Sequence, residues 1–277
     1  MLKDSVKSII IKKVSANRII ETEDQLAVEE PLEIQVKYML DGKQIKKSIS
    51  VTMRTPGNDE ELAVGFLFTE GIISKQDQVE SAQSDLFDEN KVIVTLTENT
   101  IPKLHTSERN FYTTSSCGVC GKSSIDAIKT VSSFQLKEDT IIIPADLFYT
   151  LQQTLRKQQE IFQNTGGLHA SAIFDLRGNF ILLREDVGRH NALDKVIGTS
   201  FFAGQLPLKD TILLLSGRAS FELIQKAGMA GIRIVAAIGA PSSLALELAE
   251  EFGITLIGFL GTEKFNIYSG SQRIILG

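Results

Sequence analysis

The last third of the chain alternates short apolar runs with amphipathic stretches. Thr211 to Leu215, Ile234 to Ile238 and Thr255 to Phe259 are apolar and of strand length, and helix-like segments from Ala219 to Met229 and from Ser242 to Phe252 separate them. A strand without polar alternation must be covered on both faces, and a helix between successive strands supplies the crossover that parallel pairing needs. The pattern predicts a largely parallel sheet covered by helices, an α/β architecture. Just upstream, Ser171 to Phe174 and Phe180 to Leu183 read as a hairpin around Arg177-Gly178-Asn179, followed by a helix around Asn191 to Ile197. An amphipathic helix from about Ala145 to Phe162, carrying Leu147, Leu151, Leu155 and Ile161 and ended by Gly166-Gly167, opens this half.

The first half has a different texture. Leu32, Ile34, Val36 and Tyr38 alternate up to Asp41-Gly42, and Ile45, Ile49 and Val51 follow it, which is a strong hairpin signal. Asn58 is placed to cap a helix with Glu61 reaching back; Leu62 with Phe66 and Ala63 with Leu67 give its apolar face, and Gly71 closes it. Val92 to Leu96 is a further strand, and Lys103 to Thr114 is polar and irregular. The expected organisation is a smaller, strand-rich α+β domain over residues 1–140 and an α/β domain over residues 141–277.

Composition narrows the function. Twenty-nine Lys and Arg stand against thirty-four Asp and Glu, a net charge of −5, which argues against a nucleic-acid-coating protein. The apolar runs fall far short of the ~18 residues of a bilayer span, and the lysine-rich start, with only Ile9 to Ile11 as an apolar run, has no export-signal core. The expectation is a cytoplasmic protein with no membrane or nucleic-acid partner.

Polar residues gather where the apolar strands end. Ser216-Gly217-Arg218-Ala219-Ser220, Gly239-Ala240-Pro241-Ser242-Ser243 and Gly261-Thr262-Glu263-Lys264 each follow a strand, which is where open α/β sheets bind ligands. In the first two, glycine and hydroxyls precede a helix, so backbone N–H groups and the helix dipole could receive an anion, and Arg218 adds a fork suited to phosphate. Any one such loop is more often simply a turn and a cap; three at successive strand ends shift the reading towards a phosphate-bearing ligand. Arg184-Glu185-Asp186-Val187-Gly188-Arg189-His190-Asn191 follows another strand and reads either as a solvated charge run or as the lip of a cleft. His169 precedes a strand, and is either a site residue or a satisfied core histidine; His105 is assigned to the surface.

The only cysteines, Cys117 and Cys120, form a C-x-x-C flanked by glycine and hydroxyls, with Lys122 nearby. Ahead of a helix beginning near Ser123, these thiols should have lowered pKa values and be reactive as thiolates. A structural zinc site would need four ligands, and no second pair exists. A thioredoxin-type pair belongs near the start of a βαβ unit, not after a long polar stretch. A deaminase zinc site needs H-x-E before P-C-x-x-C, whereas His169-Ala170-Ser171 has serine in place of glutamate and follows the cysteines. The loop suits a sulfur carrier, whose thiol must meet first a donor and then a recipient.

Ser116-Cys117-Gly118-Val119-Cys120-Gly121, the run from Glu185 through His190 to Lys195, Ser216 to Ser220, and Thr255 to Phe259 together resemble the formate dehydrogenase accessory sulfurtransferases, the FdhD-like family, from about Pro31 to the end. That resemblance implies sulfur accepted from a cysteine desulfurase as a persulfide on Cys117, with Cys120 auxiliary. It implies delivery of that sulfur to the molybdenum or tungsten bis-guanine-dinucleotide cofactor before insertion into formate dehydrogenase. It implies a C-terminal domain similar to the cytidine deaminase fold without its chemistry, and a homodimer. Phe259, Leu260, Gly261, Thr262, Glu263 and Lys264 occupy the family's cofactor-binding segment; some members carry a further cysteine where this chain has Leu260, so no third thiol acts here. Arg218, Arg189 and Lys264 are the expected phosphate contacts, and His169 and His190 the expected contacts to pterin or nucleotide. A non-catalytic chaperone that shields the cofactor during delivery is the alternative.

Overall fold

The computed structural model describes residues 5–104, 134 and 140–276. Both cysteines, His105 and the polar segment after Leu104 lie outside the described residues.

The chain opens with a two-stranded antiparallel hairpin, β1 (Val6–Ser15) and β2 (Arg18–Ala27). β3 (Glu30–Leu40) and β4 (Lys43–Arg54) then form the expected hairpin across Asp41-Gly42, both at positive φ (50° and 71°), the backbone that a two-residue turn of this kind requires. With β5 (Val79–Ser84) and β6 (Lys91–Leu96) they make a four-stranded sheet of order β4-β3-β6-β5. Leu32, Ile34, Val36, Val92 and Val94 are all fully buried on its inner face.

Helix α1 (Asp59–Thr69) covers that face. The capping expected of Asn58 and Glu61 does not occur. Asn58 sits at φ 59° with no side-chain cap bond, and the Glu61 carboxylate accepts instead from Arg184 Nε and Nη2 at 2.6 and 2.8 Å. A bidentate charged pair outcompetes a single neutral capping bond.

The expected helix over 145–162 is two: α2 (Ala145–Gln158) and α3 (Glu160–Thr165). The break falls at Gln159, where the Glu185 carboxylate accepts the N–H groups of Ile161 and Phe162 at 3.0 and 2.9 Å. A short ladder, β7 (Ile143–Pro144) with β14 (Ile274–Ile275), ties the start of α2 to the end of the described chain.

The second sheet has six strands in the order β13-β12-β11-β10-β8-β9, where β8 is His169–Asp175, β9 Phe180–Asp186, β10 Thr211–Leu215, β11 Ile234–Ala237, β12 Thr255–Gly258 and β13 Asn266–Ser269. The expected parallel pairing holds for β10, β11 and β12, and the expected hairpin is β8 with β9; beyond these, β8 pairs β10 and β13 pairs β12 antiparallel. The reason is connection length. β8 turns into β9 through a tight loop at Leu176 to Asn179, and β12 into β13 through another short loop, neither long enough for a parallel crossover.

Three helices, α4 (Arg189–Phe202), α5 (Phe221–Met229) and α6 (Ser243–Glu251), pack on one face of this sheet, against Leu213, Leu215, Val235 and Leu256. Alternate residues Ile212, Leu214, Ile234 and Ile257 face Phe148, Leu151 and Leu155 of α2 on the other side. The C-terminal half is thus three layers, α/β/α. α1 packs across α4, so the core beneath the first sheet is continuous with that of the second.

Candidate functional site

The family-like run after β9 turns mainly inward. Asp186 is fully buried, and its carboxylate meets Lys195 Nζ at 2.7 Å and accepts from the N–H groups of Thr55 and Gly188 and from Asn191 Nδ2. Lys195 Nζ also donates to the Thr55 carbonyl at 2.9 Å, and Asn191 Nδ2 to that of Met53 at 2.7 Å. One turn on, Asp194 accepts from Lys226 at 2.9 and 3.0 Å and from Thr69 at 2.9 Å. Burial alone would push Lys226 down, but the carboxylates of Asp194 and Glu70 hold it above the ordinary lysine range. These residues bind α4 to the end of β4, to α1 and to α5, and they are the seam between the two halves. Of the expected contacts, His190 belongs here: it is buried, and its Nε2 lies 2.8 Å from the Glu222 carboxylate and 3.4 Å from Ser220 Oγ.

On the opposite face of the second sheet, at the carboxyl ends of β10 and β11, lies an open cleft of about 1020 Å³. His169 of β8, Ser216 after β10 and Ile238 after β11 form its floor. Gln152, Arg156 and Lys157 of α2, Gln159 at the helix break, and Phe162 and Gln163 of α3 form one wall. Ser216 Oγ accepts the Ala170 N–H at 2.7 Å, fixing floor to strand, and Gly217 lies against the His169 ring, where a Cβ would stand 3.3 Å from Nδ1. Half-buried His169 is held below its ordinary range by burial first, then by the positive charge of Arg189, with His190 and Arg218 acting the same way. Glu185, which pins α3, is pushed up by burial against the two N–H groups that favour its anion.

Three of the expected site residues, His169, Arg189 and Arg218, therefore share one electropositive region. Arg218 is exposed, and the buried Nε of Arg189 finds no hydrogen-bond partner among the described residues. The strand-end loops hold one another: Gly239 N–H donates to the Gly217 carbonyl, Phe259 N–H to that of Gly239, and Ser242 N–H to that of Ala219. These three backbone donors are spent on the scaffold, and Ser242 Oγ caps α6 through the Ala245 N–H.

Phe259 to Lys264 lies one strand further along. Phe259 is half exposed at φ 53°, a backbone that side-chain-bearing residues rarely adopt and that concentrates at functional sites. Thr262, Glu263 and Lys264 are exposed, the Gly261 N–H closes the turn on the Lys264 carbonyl, and Leu260 points into the core at 2% exposure.

The glutamine and cationic wall of the cleft was missed by sequence reasoning, although a signal existed. Gln152 occupies the buried stripe of α2 that Phe148 and Leu155 define, and the buried Gln159 follows at the helix break.

The family model for the FdhD/NarQ family matches residues 27–275. The chain belongs to the FdhD/NarQ family. A protein named sulfur carrier protein FdhD from Mycolicibacterium paratuberculosis is 47% identical over 272 residues, covering 95% of this chain and 97% of that protein. Another of the same name from Sulfolobus acidocaldarius is 40% identical, covering 98% and 99%. A crystal structure described as a putative formate dehydrogenase accessory protein from Desulfotalea psychrophila superposes with a TM-score of 0.73 at 22% identity, covering 98% of this chain and 99% of that one, and so shares its fold. In this member of the FdhD/NarQ family no helix among the described residues is long and apolar enough to cross a membrane.

Proposed function

We propose that this chain is a cytoplasmic sulfur carrier for formate dehydrogenase maturation. Cys117 accepts sulfur from a cysteine desulfurase, and the recipient is the molybdenum or tungsten bis-guanine-dinucleotide cofactor before its insertion into formate dehydrogenase. In the first step the Cys117 thiolate attacks the terminal sulfur of the donor's persulfide; an S–S bond forms at Cys117, and the donor's cysteine leaves as a thiolate. In the second, that bond breaks, Cys117 leaves as a thiolate, and the two electrons that turn the transferred sulfur into sulfide come from the metal of the cargo. Cys120 assists the thiol loop, and the active form is a homodimer.

The observation that carries the reading is the electropositive cleft at the strand ends of a chain 40–47% identical to proteins named sulfur carriers. Arg189, Arg218 and Lys264 supply cations for the cofactor's phosphates, and His169 an imidazole at the cleft floor. The three-layer C-terminal half fits the expected likeness to the cytidine deaminase fold, and the chemistry differs because Ser171 stands where that family's glutamate would act as proton carrier.

The test is sulfur loading. Incubated with a cysteine desulfurase and cysteine, the wild-type chain should gain one sulfur, about 32 Da, on the peptide containing Cys117, and Cys117→Ser should gain none and fail to mature formate dehydrogenase. A Cys117→Ser protein that matures the enzyme at the wild-type rate, while Arg218→Ala does not, would establish a cofactor chaperone instead.

A further inference from the structure

Gln152 is out of place by the rules that build α2. It sits on the buried stripe with Phe148, Leu151 and Leu155, facing the second sheet, and only 6% of its surface is exposed. A buried amide left without partners costs about 1–3 kcal/mol, so nearly all such groups are hydrogen-bonded. The Gln152 side chain makes no hydrogen bond among the described residues, and its amide is spared that cost because it opens onto the strand-end cleft that it lines. Its neighbour one turn earlier, Phe148, and one turn later, Leu155, are both sealed in the core. Leucine at 152 would have served the helix equally well.

The same wall sorts its chemistry by depth. Arg156, one turn beyond Gln152 on the same helix face, and Lys157 are exposed at the rim, while Gln152 is enclosed. Cations at a solvated rim suit phosphate, and an unpartnered amide on a largely buried side chain at the cleft wall suits a planar heterocycle whose edge carries an N–H donor beside a carbonyl acceptor. One carboxamide can accept from the first and donate to the second. Guanine and pterin both present that edge.

We infer that Gln152 reads the heterocycle edge of the nucleotide cargo, with Arg156 holding phosphate at the rim. This assignment rests on the cofactor reading above and specifies which end of the ligand enters the α2 recess. A buried polar group built to pair with a ligand discriminates strongly, because removing either partner leaves the other unsatisfied.

The probe is guanosine diphosphate, titrated calorimetrically into the full chain at several salt concentrations. Gln152→Met, of equal length without the amide, should weaken binding ~10–100-fold at every salt concentration with the salt dependence unchanged. Arg156→Ala should weaken binding and flatten its salt dependence, since a screened charge pair is lost. Gln153→Met, at an exposed position of the same helix, should bind as the wild type does. Gln152→Asn, which keeps the amide but withdraws it by one methylene, should also lose affinity and serves if the methionine variant does not fold. Wild-type affinity in Gln152→Met, or in Gln152→Asn where only that variant folds, overturns the assignment while leaving the cofactor reading intact. No binding of the nucleotide by the wild-type chain overturns both.

Discussion

Gly65 and Gly198 mark the crossing of α1 and α4. A Cβ on Gly65 would lie 1.9 Å from the Asp194 carbonyl oxygen, and one on Gly198 would lie 1.9 Å from the Glu61 carbonyl oxygen. Both obstacles are helix backbone, which has no rotamer to escape into, so alanine at either position must push the helices apart by more than an ångström. Overpacking of this kind costs about 1–3 kcal/mol, and a backbone obstacle places it at the upper end. Alanine's better helix propensity returns about 1 kcal/mol, leaving a net loss of ~2 kcal/mol. For a chain of this size that is a fall of ~4–8 °C in Tm. Urea and thermal unfolding of Gly65→Ala and Gly198→Ala measure it, with Gly167→Ala, whose Cβ would meet nothing nearer than 3.9 Å, as the control. Because one separation of the helices accommodates both methyl groups, the double variant should lose less than the sum of the two. Wild-type stability in either single variant would refute the close crossing and with it the seam.

Two further outcomes follow from the charges. Lys226→Met should cost about 3–5 kcal/mol in urea unfolding, because the fully buried Asp194 carboxylate is left without its cation, and Lys226→Met with Asp194→Leu should recover much of that loss. His169 is held below its ordinary value of 6.5, so the folded chain binds fewer protons there than the unfolded one; stability should fall as pH drops through that value and below, and His169→Gln should make the fall shallower in melts recorded from pH 7 to pH 5.

The sequence discloses elements wherever a local rule dominates. The Asp41-Gly42 turn and the runs of β10, β11 and β12 were legible because turn chemistry and burial on both faces act over a few neighbouring residues. The direction of the edge strand β13 was not, because it depends on how far the chain travels between strands: the short return from β12 makes that edge antiparallel whatever its composition. The first hairpin escaped because most of β1 and β2 is solvated, with Ile10, Val14 and Ile19 each about 70% exposed, so no buried face imposes a regular alternation. The Asn58 cap failed for a long-range reason, since Glu61 is claimed by Arg184 from a strand more than a hundred residues away. Within the site, His169, Arg189 and Arg218 could be inferred from their places at strand ends. Gln152 interrupts an apolar helix stripe in the sequence, but only the fold shows that this stripe passes over a cavity before returning to the core.

The run from Glu185 to Lys195 does two jobs at once, and its geometry explains why they sit together. Along α4, His190, Asn191, Asp194 and Lys195 fall at spacings of three and four residues, one helical face, and that face is turned to the seam. The residues at its start point elsewhere: Glu185 pins α3, one wall of the cleft, through two backbone N–H groups, and Arg189 brings its charge to His169. Asp186, between them, is anchored to Lys195 and to Thr55 of the first half. A displacement of the first sheet therefore pulls on Asp186 while its neighbours on either side hold the cleft wall and the cleft charge. Cargo held against α3 and Arg189 would, by the same linkage, tighten the seam, so nucleotide binding should raise the unfolding temperature of the whole chain as one transition and not that of the C-terminal half alone.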